Sequence, residues 1–238
     1  MEQTILHKAD TRFSADHGWL KSAQTFSFHG HYDPDRLQFG ALRVLNDDTV
    51  NGGKGFGEHP HDNMEIISIP LEGTLEHQDS MGNSALIRPG EIQVMSAGTG
   101  IYHTEFNKDK DEPVTFLQIW LYPNVLNVVP RYDQQNFGEK DKQNKFLQIL
   151  SPNQEDEGVW IYQNAWFHIA DLDKDFETEY VLKNSENGVY LFVMEGDIEA
   201  NGQVLNKRDG YGIWHSPNIK ITAKSNSKVL VMEVPEKW

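Results

Sequence analysis

Two pairs of side chains with the same spacing stand out in the sequence: His59-Pro-His61 and His103-Thr-Glu105. On an extended strand, side chains alternate between faces, so residues two apart point the same way. His59 and His61 can therefore grip one ion from one side. If a neighbouring strand presents His103 and Glu105 to the same lumen, four ligands converge. Three neutral imidazoles and one carboxylate suit a borderline first-row ion such as Fe(II), Mn(II), Co(II), Ni(II), Cu(II) or Zn(II). Four protein ligands leave two positions on a six-coordinate ion, the vacancy that small-molecule or O2 activation requires.

A lone H-x-H is also what surface histidines on an acidic protein would present. The stronger signal is the combination. Glycines bracket each pair, in G-K-G-F-G-E-H-P-H and A-G-T-G-I-Y-H-T-E, and a turn-rich run lies between them. The other histidines lack such support. His29-Gly-His31 is a second H-x-H, but it lies beside Tyr32-Asp33-Pro34 and is expected in a turn. His77 is expected to face solvent on a hairpin near the barrel mouth. His168, inside the apolar run Trp166-Phe-His-Ile, is expected as a hydrogen-bonded structural residue. His215 follows Gly212-Ile-Trp, echoing Gly100-Ile-Tyr before His103, but has no H-x-H upstream. His7 and His17 carry no supporting pattern.

The elements that must position these residues read as short strands. Phe39–Leu45, Met64–Gly73, Thr74–Gln78, Ser84–Arg88, Ile92–Met95 and Val114–Tyr122 combine β-branched and aromatic residues with frequent turn signals. No long 3.6-residue period competes, which argues for an all-β sandwich or barrel. A short helix is expected within Ser14–Ser22, and a strand running into a turn at Phe26–Pro34. The pattern lapses from Pro123 to about Lys145, and the polar run 133–145 is expected as an inter-domain connection. The second half repeats the texture of the first. Ile69-Pro-Leu-Glu-Gly-Thr-Leu-Glu matches Phe192-Val-Met-Glu-Gly-Asp-Ile-Glu, so two copies of one barrel unit are expected, at 1–132 and 146–238. The second-copy positions matching His59 and His61 are Leu182 and Asn184, so that barrel is expected to hold no metal.

Composition narrows the function. The 238 residues are enough for one large β domain or two smaller ones. With 21 Lys and Arg against 36 Asp and Glu, the formal charge is −15, which argues against direct nucleic-acid binding. There are no cysteines, so disulfides, thiolate metal sites and thiol catalysis are excluded. No apolar run approaches membrane-spanning length, and the opening M-E-Q-T-I-L-H-K-A-D has no apolar signal region. The expected compartment is the cytoplasm.

The residues around the two pairs also resemble the two cupin motifs. Gly53, His59, His61, Glu65 and Gly73 follow the first motif; Gly90, Ser96-Ala-Gly98, His103 and Asn107 follow the second, with serine in place of its proline and a longer gap before the histidine. Those departures, with L-E-G-x-L-x-H-x-D-S-x-G-N and V-M-x-A-G-x-G-I-x-H-x-E, resemble the pirin family over about residues 25–125. The resemblance implies an all-β bicupin, two tandem cupin barrels of jelly-roll type, with one metal in the first. It implies His59, His61, His103 and Glu105 as ligands of one divalent ion, usually iron, and leaves Glu65 out of the site. Bacterial pirins are similar to quercetin 2,3-dioxygenase. The implied activity is therefore oxidative ring cleavage of a flavonol such as quercetin by O2, with loss of carbon monoxide. Glu105, the only anionic ligand, is then the candidate general base. The implied partners are a small aromatic substrate and O2, and a monomer is expected. A second implied role is that of an iron-dependent, redox-responsive regulator binding a protein partner. A third is another cupin chemistry, isomerase or decarboxylase, since the fold alone does not choose among them.

Overall fold

The computed structural model describes residues 2–138 and 140–238, and within them the chain is built from strands, with one short 3-10 turn at Ala9–Thr11. The strands form two seven-stranded and two four-stranded sheets, one of each per barrel. All but one of the strand pairs are antiparallel; Leu147–Ser151 and Val159–Trp160 run parallel. No helix among the described residues is long and apolar enough to cross a membrane.

The two seven-stranded sheets share one apolar layer. Leu45, Ile67 and Leu117 from the first half pack in one cluster with Phe167, Phe192 and Met232 from the second. The second barrel is then filled by a further apolar cluster that includes Leu191, Ile219, Ile221 and Val231. The first barrel is filled differently. Its apolar residues fall into two small clusters, one around Leu75, Val114 and Phe116, the other around Ile66, Met95 and Ile101. Between them runs a polar row in cross-strand register: Gln24 opposite Asn46, Asn46 opposite Gln118, Gln118 opposite Ser68, and Ser68 opposite Gln93. All five are buried. Register makes neighbours in such a row share a face, so the sheet carries a polar belt across the inside of the barrel.

Several local expectations differ from what the chain does. Ser14–Ser22 is not helical. It is the hairpin of strands Phe13–Asp16 and Leu20–Gln24, turned at Gly18 with φ +81°, whose N–H donates to Asp16 Oδ1 at 2.8 Å. Leu20, Ser22 and Gln24 are buried in alternation, and that period of two decides for strand over helix. Phe26–Pro34 forms a turn but no strand. Ser27 Oγ donates to the Asp33 carbonyl and accepts its N–H, closing the loop on itself. The run 133–145 opens as part of a ladder, since Arg131–Asn136 pairs with Glu91–Ser96. At the other end, Gln3–His7 pairs with Gly210–Trp214, so the first strand of the chain serves the second barrel's sheet. The chain then crosses back through residues 8–12 to enter the first barrel. Glycine is needed where the barrels meet again: at Gly40 (φ +54°) an added Cβ would lie 2.2 Å from the Pro235 carbonyl oxygen.

Candidate metal centre

The strands Gly55–His61 and Ile101–Asn107 pair antiparallel and set His103 directly opposite His59. Along Ile101–Asn107 the burial alternates, with Ile101, His103, Glu105 and Asn107 inward and Tyr102 and Phe106 outward. The expected shared face of His103 and Glu105 is therefore real. Between His103 and Glu105 the register slips, from His59 to Phe56 on the partner, so the partner strand carries a bulge. Bulges bend a strand and re-aim its side chains. The two strands then come so close that a Cβ on Gly55 would lie 2.3 Å from the Glu105 carbonyl oxygen.

The three imidazoles meet. His59, His61 and His103 each offer a ring nitrogen, and these atoms lie within 4.8 Å of one another. The ring centroids are 4.4 Å apart for His59 and His103, and 4.9 Å for each other pair. His59 Nδ1 is 2.7 Å from the Gly57 carbonyl oxygen. A carbonyl only accepts, so Nδ1 is the donor, which turns Nε2 toward the other two rings as the atom that could bind an ion. His61 Nε2 and both nitrogens of His103 are buried without a partner among the described residues. Burial lowers the His61 pKa to about 4, helped by its neighbours His103 and His59. Burial lowers that of His103 to about 3, with His59 and His77 adding to it. Neutral rings with unpartnered nitrogens are what a divalent ion needs, so the donor set fits one.

Glu105 is inside the barrel but outside that group. Its carboxylate accepts from Ser68 Oγ at 3.0 Å and from Gln118 Nε2 at 2.8 Å, two members of the polar belt. Ser68 and Gln118 lie in strands that otherwise read as apolar, Glu65–Glu72 and Val114–Leu121, and sequence reading passed over them. A polar residue at an inward position of an apolar strand was the available signal. Trp120 was also missed. Its ring stands edge-on to His61 at 4.9 Å, and Phe28 packs edge-on against it at 5.2 Å.

His77 does not face solvent. It is fully buried, and its ring lies 5.4 Å from that of His103 and stacks on Tyr132 at 4.8 Å. The strand Leu75–Asp79 runs beside Ile101–Asn107, with His77 opposite Glu105 and Asp79 opposite His103. His77 Nε2 is 3.1 Å from Asp79 Oδ2. Asp79 also accepts the backbone N–H groups of Met81 and Asn83 and the Asn83 side-chain amide. Burial opposes its ionisation, but the hydrogen bonds from Asn83 and His77 prevail and hold it below the ordinary carboxylate range. The hairpin reading of this segment overlooked that Leu75, His77 and Asp79 share the inward face.

The remaining candidates lie elsewhere. Glu65 is buried and accepts from Ser96 Oγ at 2.7 Å; burial raises its pKa to about 7, against the pull of Ser96 and Arg131. His168 sits with Tyr180 and Glu233 inside the second barrel, 3.3 Å from the Tyr180 hydroxyl. Asn184, at the position matched to His61, donates its backbone N–H to Glu233. His31 stacks on Phe13, His215 is exposed, and His7 pairs with the Tyr190 hydroxyl at 2.8 Å.

Comparison with known proteins agrees with this architecture. The Pirin family model matches residues 6–121, and the model of the quercetinase C-terminal cupin domain matches residues 148–234. Quercetin 2,3-dioxygenase of Escherichia coli (strain K12) is 43% identical over 230 residues, covering 97% of this chain and 98% of that protein. A pirin-like protein of Caulobacter vibrioides is 39% identical over 220 residues, 92% of this chain and 94% of its own length. Among solved structures, the bacterial pirin YhhW from Escherichia coli in complex with nickel(II) superposes with a TM-score of 0.93 at 41% identity, over 98% of this chain and 99% of that one. Two cupin barrels, a histidine triad in the first, and full-length similarity to these proteins place the chain in the pirin family.

Proposed function

We propose that this protein is a metal-dependent dioxygenase that opens the central ring of a flavonol such as quercetin with O2. The observation that carries the reading is the convergence of three imidazoles, those of His61 and His103 with buried unpartnered nitrogens, inside a barrel lined by polar residues. The substrate class is supported by similarity to full-length relatives known as quercetin 2,3-dioxygenase. His59, His61 and His103 would hold one divalent ion, with Glu105 as the anionic fourth ligand. Fe(II) is the proposed ion, and the nickel complex of the related Escherichia coli pirin supports a first-row divalent ion in general. When bound, the ion supplies a Lewis acid and a redox-active centre for the substrate oxygen and O2.

The chain's own residues orient the substrate and handle the proton. Ser68 and Gln118 fix the Glu105 carboxylate, one hydrogen bond to each oxygen. Each carboxylate oxygen has a second lone pair, so Glu105 can still take the proton of a flavonol 3-hydroxyl. Trp120, with Phe28 packed edge-on against it, gives an apolar wall beside His61, suited to an aromatic ring. A small aromatic substrate and O2 are the proposed partners, met by a cytoplasmic monomer. The test is to load the protein anaerobically with iron, add quercetin, admit air and follow the flavonol absorbance. Loss of absorbance at a rate set by protein concentration is expected. No loss with iron or any other first-row ion would overturn the reading in favour of a regulatory role. Elemental analysis of protein purified without added metal names the ion.

A further inference from the structure

The strand Gly55–His61 carries two of the three converging imidazoles, yet little holds it to the barrel. It is the outer strand of its four-stranded sheet, and among the described residues it pairs only with Ile101–Asn107. That ladder is interrupted by the bulge between Phe56 and His59, and it lacks a donor at Pro60, which has no N–H. None of the strand's seven residues is buried, whereas Ile101, His103, Glu105 and Asn107 are buried on the strand opposite. A Cβ added at Gly57 would meet nothing within 4 Å, so the bulge stands clear of its surroundings. The apolar anchor of the strand is Phe56, edge-on to Trp19 at 5.3 Å. Few buried contacts and a single ladder mark a segment that opens at low cost.

The two ends, by contrast, are fixed. The Gly53 N–H donates to the Asp109 carbonyl at 2.7 Å, and the Asn63 N–H to the Gly98 carbonyl at 2.9 Å. Asn63 Oδ1 also accepts the Asn127 N–H at 2.7 Å. Both end residues have left-handed backbone, φ +65° at Gly53 and +42° at Asn63, a conformation that most other residues avoid. The segment between them is a strap with a bend at each end.

With the strap closed, the donor atoms are shut off from solvent: His61 Nε2 and both ring nitrogens of His103 are buried. An ion therefore reaches them only if a strand moves, and the two strands that carry the histidines differ in what moving costs. Ile101–Asn107 lies between two neighbours and lines the interior; Gly55–His61 has one neighbour and lines it only in part. Swinging the latter outward uncovers His103, and swinging it back brings the three imidazoles together. We infer that Gly55–His61 is the entry strap of the metal site: it opens to admit a divalent ion, which then fastens His59 and His61 to His103. The inference rests on the three histidines as ligands. An ion that binds only the closed form stabilises that form by mass action, so closure of the strap depends on the ion.

The first measurement is hydrogen–deuterium exchange of the metal-free protein with and without nickel(II). Without it, the amides of Gly55–His61 should exchange faster than those of Leu75–Asp79, a strand paired on both sides. Nickel should slow Gly55–His61 at least tenfold and leave Leu75–Asp79 nearly unchanged. Equal slowing of both strands would make the ion a stabiliser of the whole barrel and overturn the strap; so would no slowing with nickel bound. The second measurement locks the strap. Pro60 and Tyr102 are directly opposite in the ladder and both exposed. Such residues have Cα atoms about 4.5–5.5 Å apart, within reach of a disulfide, and the chain has no cysteine of its own to interfere. The protein with Pro60→Cys and Tyr102→Cys is compared in two forms, oxidised and reduced-then-alkylated. Nickel uptake, followed by tryptophan fluorescence through Trp120 beside His61, should be at least tenfold slower in the oxidised form. Equal rates in the two forms would overturn the entry route. Nickel content at equilibrium keeps the two failures apart: absence of nickel from the unaltered protein would remove the ligands themselves, whereas full binding at equal rates would remove the strap alone.

Discussion

At the scale of single residues, Glu105 carries the most weight. A carboxylate held by Ser68 on one oxygen and Gln118 on the other is fixed in orientation before any substrate arrives. Its two proposed roles can be separated. Glu105→Gln keeps the size and loses the negative charge and the basic oxygen. It should retain part of the metal, held by three histidines, and lose most turnover; full turnover in that variant would remove Glu105 as the base. Gln118→Leu leaves the charge in place and deletes one of its two anchors. Charge-assisted hydrogen bonds of this kind are worth about 1.5–3 kcal/mol, so turnover should fall by roughly ten- to a hundredfold if that energy holds the productive geometry. Metal content, read by elemental analysis beside kcat, distinguishes misplacement of the base from loss of the ion. The sequence showed the four ligand candidates because a period of two is visible in any strand. It did not show Ser68, Gln118 or Trp120, because a residue that matters by facing a particular neighbour across a barrel leaves no local pattern. His77 shows the same limit: its place on a hairpin was legible, but its burial comes from the strand beside it.

At the scale of elements, most strands of both halves were legible from β-branched runs and glycine turns, and the errors fall where local and tertiary preferences diverge. Ser14–Ser22 has no pattern strong enough to oppose a helix. It becomes a hairpin because Leu20, Ser22 and Gln24 must face inward beside Leu42–Val50. Arg131–Asn136 is polar enough to read as a connection, yet its residues are only half-buried at a sheet edge, where such composition is tolerated. Gly40 tests how strictly the barrels are joined. Alanine there must adopt a left-handed φ and push against Pro235 O and the Trp214 ring. Gly40→Ala should cost more than about 1 kcal/mol of stability, measured as a lower midpoint in urea. An unchanged midpoint would mean that the contact between the barrels yields easily.

At the scale of the molecule, two barrels of one design have been filled in two ways. The second is packed with apolar side chains, and its buried Glu233 is met by Tyr180, by the backbone N–H groups of Lys183 and Asn184, and by Asn187. The first keeps a polar belt in which Gln24 Oε1, Asn46 Oδ1 and both amide atoms of Gln93 lack partners among the described residues. Unpartnered buried polar groups cost stability, so the first barrel gives up packing for chemistry and the second serves as its support. The support should be sensitive to acid. Burial lowers the pKa of His168 to about 3, and burial with Arg36 nearby lowers that of His7 to about 4. Both rings are neutral in the folded protein, whereas in the unfolded chain they titrate near 6.5. Below that pH the unfolded chain binds protons that the folded chain refuses, so stability is lost as pH falls from about 6.5 toward 3–4. Asp48 and Glu65, each raised to about 7 chiefly by burial, act in the opposite sense over part of that range. The measurement is therefore a difference. His168→Leu should reduce the slope of unfolding free energy against pH by roughly 1.4 kcal/mol per pH unit between pH 6 and 4. Parallel profiles for the two proteins would count against a buried neutral His168.

The first strand of the chain also has a history in time. Gln3–His7 leaves the ribosome well before its partner Gly210–Trp214, which is made about two hundred residues later. At roughly 5–20 residues per second, the edge waits on the order of 10–40 s for its sheet. During that interval the first barrel can close while residues 2–8 stay untethered, so this strand is among the last parts to find its place. Ribosome-bound chains halted before Gly210 should be clipped by protease near their N-terminus, and released full-length chains should resist at the same sites. Protection of those residues in the halted chains would show that something other than the second barrel holds them.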